Sequence, residues 1–312
     1  MKAAILGSGL IGRSWAMVFA RGGHDVLLWD QDEAQVERAL SHIAITLPAM
    51  AAEGLIDDAG AILSRVRPAR NLEHALSGAG FVQENIAEQA EPKQQLFAAV
   101  EALVPRDAIL SSSTSAIMPS IIFGGLATRD RCLVSHPLNP PHLAPIVELC
   151  GADFTAPEVI SGTRDFMAGC AMVPITVKRE IEGFILNRLQ LAVLNEAFRL
   201  IAEGYVSAED LDKTVKDGLA LRWSFMGPIE TIDLNAPQGV ADYLTRYGPT
   251  IRRVGDQQAS ARPWPETIGA TLDAERRADV PSDRLGAATQ WRDRRLMALA
   301  AHKRAQEKKT PR

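Results

Sequence analysis

The chain has little cysteine: three residues in 312, Cys132, Cys150 and Cys170, an odd number at spacings that no metal site uses. A disulfide framework is excluded, no metal is expected, and the thiols read as reduced side chains of a cytoplasmic protein. Positive charge is not in excess either. With 34 Lys and Arg against 38 Asp and Glu, the net charge is −4, and the basic footprint of a nucleic-acid-binding protein is missing. No apolar run reaches the roughly 20 residues that span a membrane. The first strand-like run begins at Lys2, so no signal peptide is expected. There is no internal repeat. Between Arg38 and Arg65 there is no lysine or arginine at all.

What is present starts with a glycine-rich turn in an informative place. Lys2-Ala3-Ala4-Ile5-Leu6 is strand-like and runs straight into Gly7-Ser8-Gly9-Leu10-Ile11-Gly12. A helix-like stretch follows from Arg13 to Arg21, and Asp30 closes the apolar run Val26-Leu27-Leu28-Trp29, 18 positions after Gly12. A lone GxGxxG is weak, but strand, turn, helix and a later acidic residue together form the context of a dinucleotide site. Gly7 permits the bend, Gly9 lets a pyrophosphate approach the backbone, and Gly12 lets the helix pack on the strand. The N–H groups of the turn, around Leu10 and Ile11, then meet the phosphates at the positive end of a helix dipole. Asp30 would accept hydrogen bonds from the adenosine ribose. Gln31-Asp32-Glu33 offers no arginine to a 2′-phosphate, so the expected cofactor is NAD and not NADP. The alternative is a glycine-rich turn in an ordinary α/β domain.

Residues 1–30 read as strand, helix, strand. Residues 33–66 read as a helical excursion, broken near Pro48 and again at Gly54-Leu55-Ile56-Asp57-Asp58. Strand-like runs recur at 65–68, 80–84, 108–111, 131–135, 146–149 and 173–177, with helical stretches between most of them. The run at Ile146 follows the one at Cys132 too closely for a helical crossover, so that pair is expected to be antiparallel. From Gly183 the texture is helical only: 184–203, a helix opened by Ser207 and stopped near Gly218, another from Pro228, and a basic amphipathic helix over 286–309. The region 255–285, punctuated by Pro and Gly, gives no clear element. The expected architecture is α/β: a Rossmann-type doubly wound domain over 1–180, with the excursion 33–66, and an all-α domain over 181–312.

Ligands of open α/β sheets bind beyond the carboxyl ends of the strands. Several polar residues converge there: Glu88 and Lys93 after the Phe81 strand, the run Ser111 to Ser115 after the Ala108 strand, and His136 after the Cys132 strand. His136 is the best general base, histidine being the side chain suited to proton transfer near working pH. Glu148 on the neighbouring strand could fix its tautomer. The bland alternatives are a loop histidine held before Pro137, an edge-strand carboxylate, a first-turn surface lysine at Lys93, and a local backbone bond at Asn187. The other five histidines read as surface or structural.

With these residues in view the chain resembles the 3-hydroxyacyl-CoA dehydrogenase superfamily along nearly its whole length. The matching words are GSGLIG, Glu88-x4-Lys93, Ser113-Thr-Ser115, His136-Pro-Leu-Asn139-Pro140, Glu148, Gly183-Phe-Ile-Leu-Asn187-Arg188 and Met226-Gly227-Pro228. Within it, the phrases GSGLIGRSWAMVFARGG, LSSSTSAIMPS, EIEGFILNRLQ and DGLALRWSFMGPIETIDLNA are similar to the L-gulonate 3-dehydrogenase/lambda-crystallin branch. The resemblance implies an NAD-binding domain, an all-helical domain that makes a homodimer, His136 as base with Glu148 as its partner, and Ser115 and Asn187 on the reacting oxygen. It also implies Glu88 and Lys93 along the cofactor, with Ser113 beside them.

Two departures bear on substrate. Acyl-CoA members often carry lysines on the excursion that meet the phosphates of coenzyme A, and here that segment has no countercharge. Arg222 stands in Leu221-Arg222-Trp223-Ser224-Phe225, where acyl-CoA enzymes usually have a small or apolar approach. It could bind a free carboxylate bidentately, or form a surface or interface ion pair. The expected activity is NAD-dependent oxidation of a small 3-hydroxy acid such as L-gulonate. The alternatives are a short-chain 3-hydroxyacyl-CoA (3-hydroxybutyryl-CoA) dehydrogenase, or a crystallin-like protein that binds NAD without turnover.

Overall fold

The computed structural model describes residues 1–259 and 263–309. By compactness the chain divides into two units: Met1–Arg188 together with the stretch from Arg292 onward, and Leu189–Trp291.

The first unit is built on β1 (Lys2–Leu6), α1 (Leu10–Arg21), β2 (Asp25–Trp29), α2 (Glu33–Ala52), α3 (Ala59–Ser64), β3 (Val66–Pro68), α4 (Leu72–Leu76) and β4 (Phe81–Glu84). It continues with α5 (Ala90–Glu101), β5 (Ile109–Ser112), α6 (Pro119–Phe123), β6 (Cys132–Pro137), β7 (Ile146–Cys150), α7 (Pro157–Gly169) and β8 (Val173–Val177). The strands form one sheet in the order β3-β2-β1-β4-β5-β6-β7-β8. Neighbours are parallel except β6 and β7, which run antiparallel as their short connection requires. The sheet is covered on both faces, so strands such as Lys2–Leu6 bury every residue but the first. One face packs Trp15, Phe19, Phe81 and Phe166, with ring centroids 4.5 to 5.6 Å apart. The other packs Phe97 against Phe123 beside Leu76, Val82 and Leu110. This is the doubly wound arrangement expected.

Pro48 does not break the excursion. Helix α2 runs through it, because Val36, Ala39, Ile43, Leu47 and Met50 are all buried on one stripe and that burial spans the proline. The turn at Gly54, with φ +69°, is where the helix ends.

The second unit carries α8 (Leu186–Ala202, its first turn in the first unit), α9 (Ala208–Lys213), a π-helical turn over Thr214–Leu219, α10 (Ala220–Trp223), α11 (Pro228–Asp233), α12 (Gly239–Ala259) and α13 (Ile268–Asp279). Residues 260–262, inside the stretch 255–285, lie outside the described residues. Helix α14 (Leu285–Lys309) is the basic helix anticipated from sequence, but from Arg292 on it belongs to the first unit. Met297 lies in the same hydrophobic cluster as Met50, Leu55 and Ile56, with Leu296, Ala300 and Ala301 against it. Arg304 Nη1 donates to the Leu55 carbonyl at 2.7 Å. Among the described residues no helix is long and apolar enough to cross a membrane. All three cysteines are free and buried, with thiol pKa values pushed up to about 12 by that burial.

His142, read from sequence as surface or structural, is buried, and its Nδ1 lies 3.2 Å from Ser14 Oγ, which itself donates to the Leu10 carbonyl. Burial, then the nearby His42, Arg21, Arg13 and Arg292, lower its pKa to about 3. In the unfolded chain the imidazole takes its proton near pH 6.5. The unfolded state therefore binds more protons below that pH, and the contribution to stability is lost as pH falls from about 6.5 towards 3. Between pH 6.5 and 5 the wild type should lose about 1.6 kcal/mol more than a His142→Asn variant, the slope reaching 1.36 kcal/mol per unit only once the unfolded-state imidazole is fully protonated. Urea unfolding at the two pH values measures this, and equal losses would refute it.

Candidate active site

The glycine turn sits where the strand order reverses, between β1 and β4. A cleft of about 810 Å³ opens there, lined by Gly7, Gly9, Asp30, Asp32, Arg38 and Asn85 among others. Gly7 has φ +89°, and a Cβ there would press on the Asn85 carbonyl at 2.9 Å. A Cβ on Gly12 would lie 1.8 Å from the Gly7 oxygen, so only glycine fits. At Gly9 a Cβ would meet nothing within 4 Å: the space in front of the turn is open. Gly9 is also the N-cap of α1 and supplies no side-chain cap, so the turn at Leu10 and Ile11 presents its N–H groups as an anion site. These features fit a bound dinucleotide. Asp30 Oδ2 accepts from Ser8 N at 2.7 Å and Ser8 Oγ at 3.0 Å, which fixes the carboxylate at the cleft.

His136 lies within β6, not after it, and is almost wholly buried. The β6–β7 register sets it directly opposite Glu148, and its Nδ1 is 2.8 Å from Glu148 Oε2. Glu148 is not at an edge, because β8 pairs on its far side, and it is fully buried. Its other oxygen accepts from Ile185 N and Leu186 N, both at 2.9 Å. One carboxylate thus holds both the imidazole and the start of α8, the helix that carries Asn187. The chain reaches it through two left-handed residues, Gly183 (φ +74°) and Phe184 (φ +49°). The Phe184 ring lies 5.6 Å from the His136 ring, centroid to centroid. Nε2 of His136 has no protein partner among the described residues.

Asn187 Nδ2 donates to the Ser115 carbonyl at 2.7 Å, which ties α8 to the serine loop. The loop is pinned from below by Glu88. Its Oε1 accepts from Thr114 Oγ1 (2.6 Å), Ser115 N (2.7 Å), Ala116 N (3.0 Å) and Ser115 Oγ (3.2 Å). Burial raises the Glu88 pKa, but those hydrogen bonds and the Lys93 charge outweigh it and hold the carboxyl below its ordinary value. Ser115, Asn187, Glu148 and His136 are therefore joined through a short chain of hydrogen bonds.

Lys93 is not a surface lysine. It is buried, donates to Glu84 Oε1 at 2.7 Å and to the Ile86 carbonyl at 3.2 Å, and lies 3.6 Å from Glu88. Glu84 also accepts from Ser112 Oγ at 2.5 Å, and burial pushes its pKa up against these partners. Ser113 is equally engaged: its hydroxyl accepts from Trp15 Nε1 and Gln83 Nε2 and donates to Asn85 Oδ1. Lys93 and Ser113 hold the loops that frame the cleft. Trp15, Gln83, Glu84, Asn85 and Phe184 were not singled out from sequence. Phe184 and Trp15 had a signal, their places in the Gly183-to-Asn187 and GSGLIGRSWAMVFARGG phrases. The others matter through contacts that β4 and β5 create.

Arg222 is in the second unit, on α10, directly after the π-helical turn. It is exposed, and its guanidinium makes no ion pair or hydrogen bond among the described residues, while its carbonyl accepts from Phe225 N and Met226 N. No cluster of three or more His, Cys, Asp or Glu able to hold a metal forms among the described residues.

Residues 2–181 match the family model "3-hydroxyacyl-CoA dehydrogenase, NAD binding domain", and residues 183–277 match its C-terminal domain. The chain is 40% identical over 304 residues to the lambda-crystallin homolog of Homo sapiens, covering 95% of this chain and 94% of that one. It is 36% identical over 273 residues to an L-carnitine dehydrogenase of Streptomyces griseus, covering 87% and 78%. Among solved structures, 5-formyl-3-hydroxy-2-methylpyridine 4-carboxylic acid 5-dehydrogenase, an NAD+-dependent dismutase, superposes with a TM-score of 0.84 at 25% identity, covering 98% of both chains.

Proposed function

The chain belongs to the 3-hydroxyacyl-CoA dehydrogenase family, and from that premise we propose that it oxidises the 3-hydroxyl group of a small free hydroxy acid such as L-gulonate. It is an NAD-dependent oxidoreductase acting on CH–OH groups. NAD, when bound, supplies the ring that accepts hydride from the carbinol carbon. Gly7, Gly9, Gly12 and the N–H groups near Leu10 and Ile11 hold its phosphates, and Asp30 its adenosine ribose. His136 Nε2 takes the hydroxyl proton, and Glu148 keeps the imidazole in the tautomer that leaves Nε2 free. The second N–H of the Asn187 amide and the Ser115 hydroxyl steady the reacting oxygen. Glu88 and Lys93 act on this site by holding the serine loop and the Ile86 turn.

The observation that carries this reading is the buried carboxylate shared between His136 and the first turn of α8. Such an arrangement suits proton transfer, because it fixes the tautomer of His136 and leaves Nε2 free for the substrate hydroxyl. A free acid is favoured over a CoA thioester by the excursion. It has no lysine or arginine between Arg38 and Arg65, and its apolar cluster is covered by the chain's own α14. L-Carnitine, named for one relative, is itself a free 3-hydroxy acid. Arg222 is the proposed carboxylate ligand, its guanidinium having no other partner.

The helical domain is proposed to make a homodimer, since one copy leaves Leu221, Phe225, Ile229 and Leu234 each about two-thirds exposed.

NADH formation on a panel of L-gulonate, short 3-hydroxy acids, L-carnitine and 3-hydroxybutyryl-CoA tests the proposal. Turnover on the thioester and on none of the acids would refute it. In an Arg222→Met variant the KM for the acid should rise about tenfold or more with kcat largely kept, as expected when a charge-assisted pair is lost equally from ground and transition states. A KM within about twofold of wild type would remove Arg222 from the site.

A further inference from the structure

The cleft by the glycine turn contains one cationic side chain that the sequence did not suggest. Gln31-Asp32-Glu33 brings no arginine, yet Arg38 lines the cleft with Asp30, and it is the only Lys or Arg among the lining residues. Its charge is already spent. Arg38 Nη2 lies 2.9 Å from Asp32 Oδ2, and Arg38 Nε donates to Gln35 Oε1 at 2.8 Å. Positions 32, 35 and 38 are three residues apart at the start of α2, so the three side chains share a face. Asp32 is doubly tied down: its Oδ1 caps α2 by accepting from Ala34 N, and its own N–H donates to Asp30 Oδ1.

We propose that Asp32 is a specificity-determining residue, whose carboxylate neutralises Arg38 and so denies a 2′-phosphate the one countercharge bordering the adenosine end of the cleft. The pair is largely exposed on both sides, with 61% and 60% of the side-chain surface accessible. Exposed pairs of this kind contribute little to stability. Its consequence is local electrostatics: beside Asp30, already negative, the guanidinium is cancelled where a phosphodianion would seek it. NAD, with a free 2′-hydroxyl, needs no cation there. Preference for NAD is thus set twice, by the acidity of Asp30 and by the neutralisation of Arg38. This inference rests on the cleft being the adenosine site.

The test is titration calorimetry on the full chain with ADP-ribose and 2′-phospho-ADP-ribose, followed by NAD and NADP kinetics. Asp32→Asn keeps an oxygen for the Ala34 N–H and removes the charge facing Arg38, while Gln35 still orients the guanidinium. The ratio of Kd for the phosphorylated ligand to Kd for the plain one should fall about tenfold, the scale of a charge-assisted hydrogen bond in water. The gain should shrink as salt rises from 0.05 to 0.5 M, as such contacts are screened. Asp32→Asn/Arg38→Gln restores local neutrality without the arginine and should return the ratio to the wild-type value. Arg38→Gln alone should raise it. A ratio within twofold of wild type in Asp32→Asn, or a gain that survives in the double variant, overturns the proposal. Failure of the underlying placement reads out differently: Asp30→Ala would then leave ADP-ribose affinity unchanged.

Discussion

Replacing His136 with asparagine should lower kcat by about 10³-fold, the middle of the range for loss of a positioned general base. Asparagine retains a polar atom near the Nδ1 position, so the contact to Glu148 and the anchoring of α8 are kept, and only the atom at Nε2 disappears. Binding of NAD should stay within about twofold, because no residue of β6 lines the cleft beside Asp30. Single-turnover NADH formation separates the two effects. A kcat within tenfold of wild type would show that another group takes the proton. A parallel collapse of NAD affinity would show that the imidazole supports the cofactor and not the chemistry.

The fold was legible because its signals are local. A strand buried on both faces reads as a continuous apolar run, and the glycine turn reads as a steric requirement: Gly12 has a carbonyl 1.8 Å from where its Cβ would be. The antiparallel β6–β7 pair was legible from a connection too short for a crossover. The His136–Glu148 contact followed from it, since antiparallel register sets the two residues opposite each other. What the sequence hid is long-range. Ser113 is expected beside the cofactor, and nothing local shows that Trp15, 98 positions away, reaches its hydroxyl across the sheet. Lys93 is expected along the cofactor, with a surface lysine as the alternative, and neither reading shows that Glu84 and Ile86 enclose it. The docking of α14 on the excursion joins residues 249 apart, Leu55 and Arg304, and no period in either segment announces it. Arg38 was missed for a different reason. It lies beyond Gln31-Asp32-Glu33, on the second turn of α2, and its long side chain reaches back to Asp32 at the cleft.

Glu148→Gln should be nearly as damaging as loss of the histidine, because one carboxylate does two jobs that an amide cannot do together. Glu148 accepts three hydrogen bonds in a site with no solvent exposure, one from His136 and two from the N–H groups of Ile185 and Leu186. Glutamine has one acceptor oxygen and one donor NH2. If its oxygen stays on the two backbone N–H groups, the NH2 faces His136 Nδ1. The ring must then offer a lone pair there and carry its proton on Nε2, where a base is needed. The corresponding tautomer error in a serine-protease triad costs about 10⁴-fold in kcat, and a loss of about 10³- to 10⁴-fold is expected here. If the amide turns the other way, two buried backbone donors lose their acceptor, at about 1–3 kcal/mol, and the first turn of α8 loosens with Asn187 on it. The two outcomes differ in measurable ways. The first lowers kcat with an unchanged denaturation midpoint, and the second lowers both. Glu148→Asp keeps the charge but is too short to span imidazole and helix, so its kcat should fall between wild type and glutamine. Wild-type turnover in Glu148→Gln would mean that neither the tautomer of His136 nor the seat of α8 matters to the reaction.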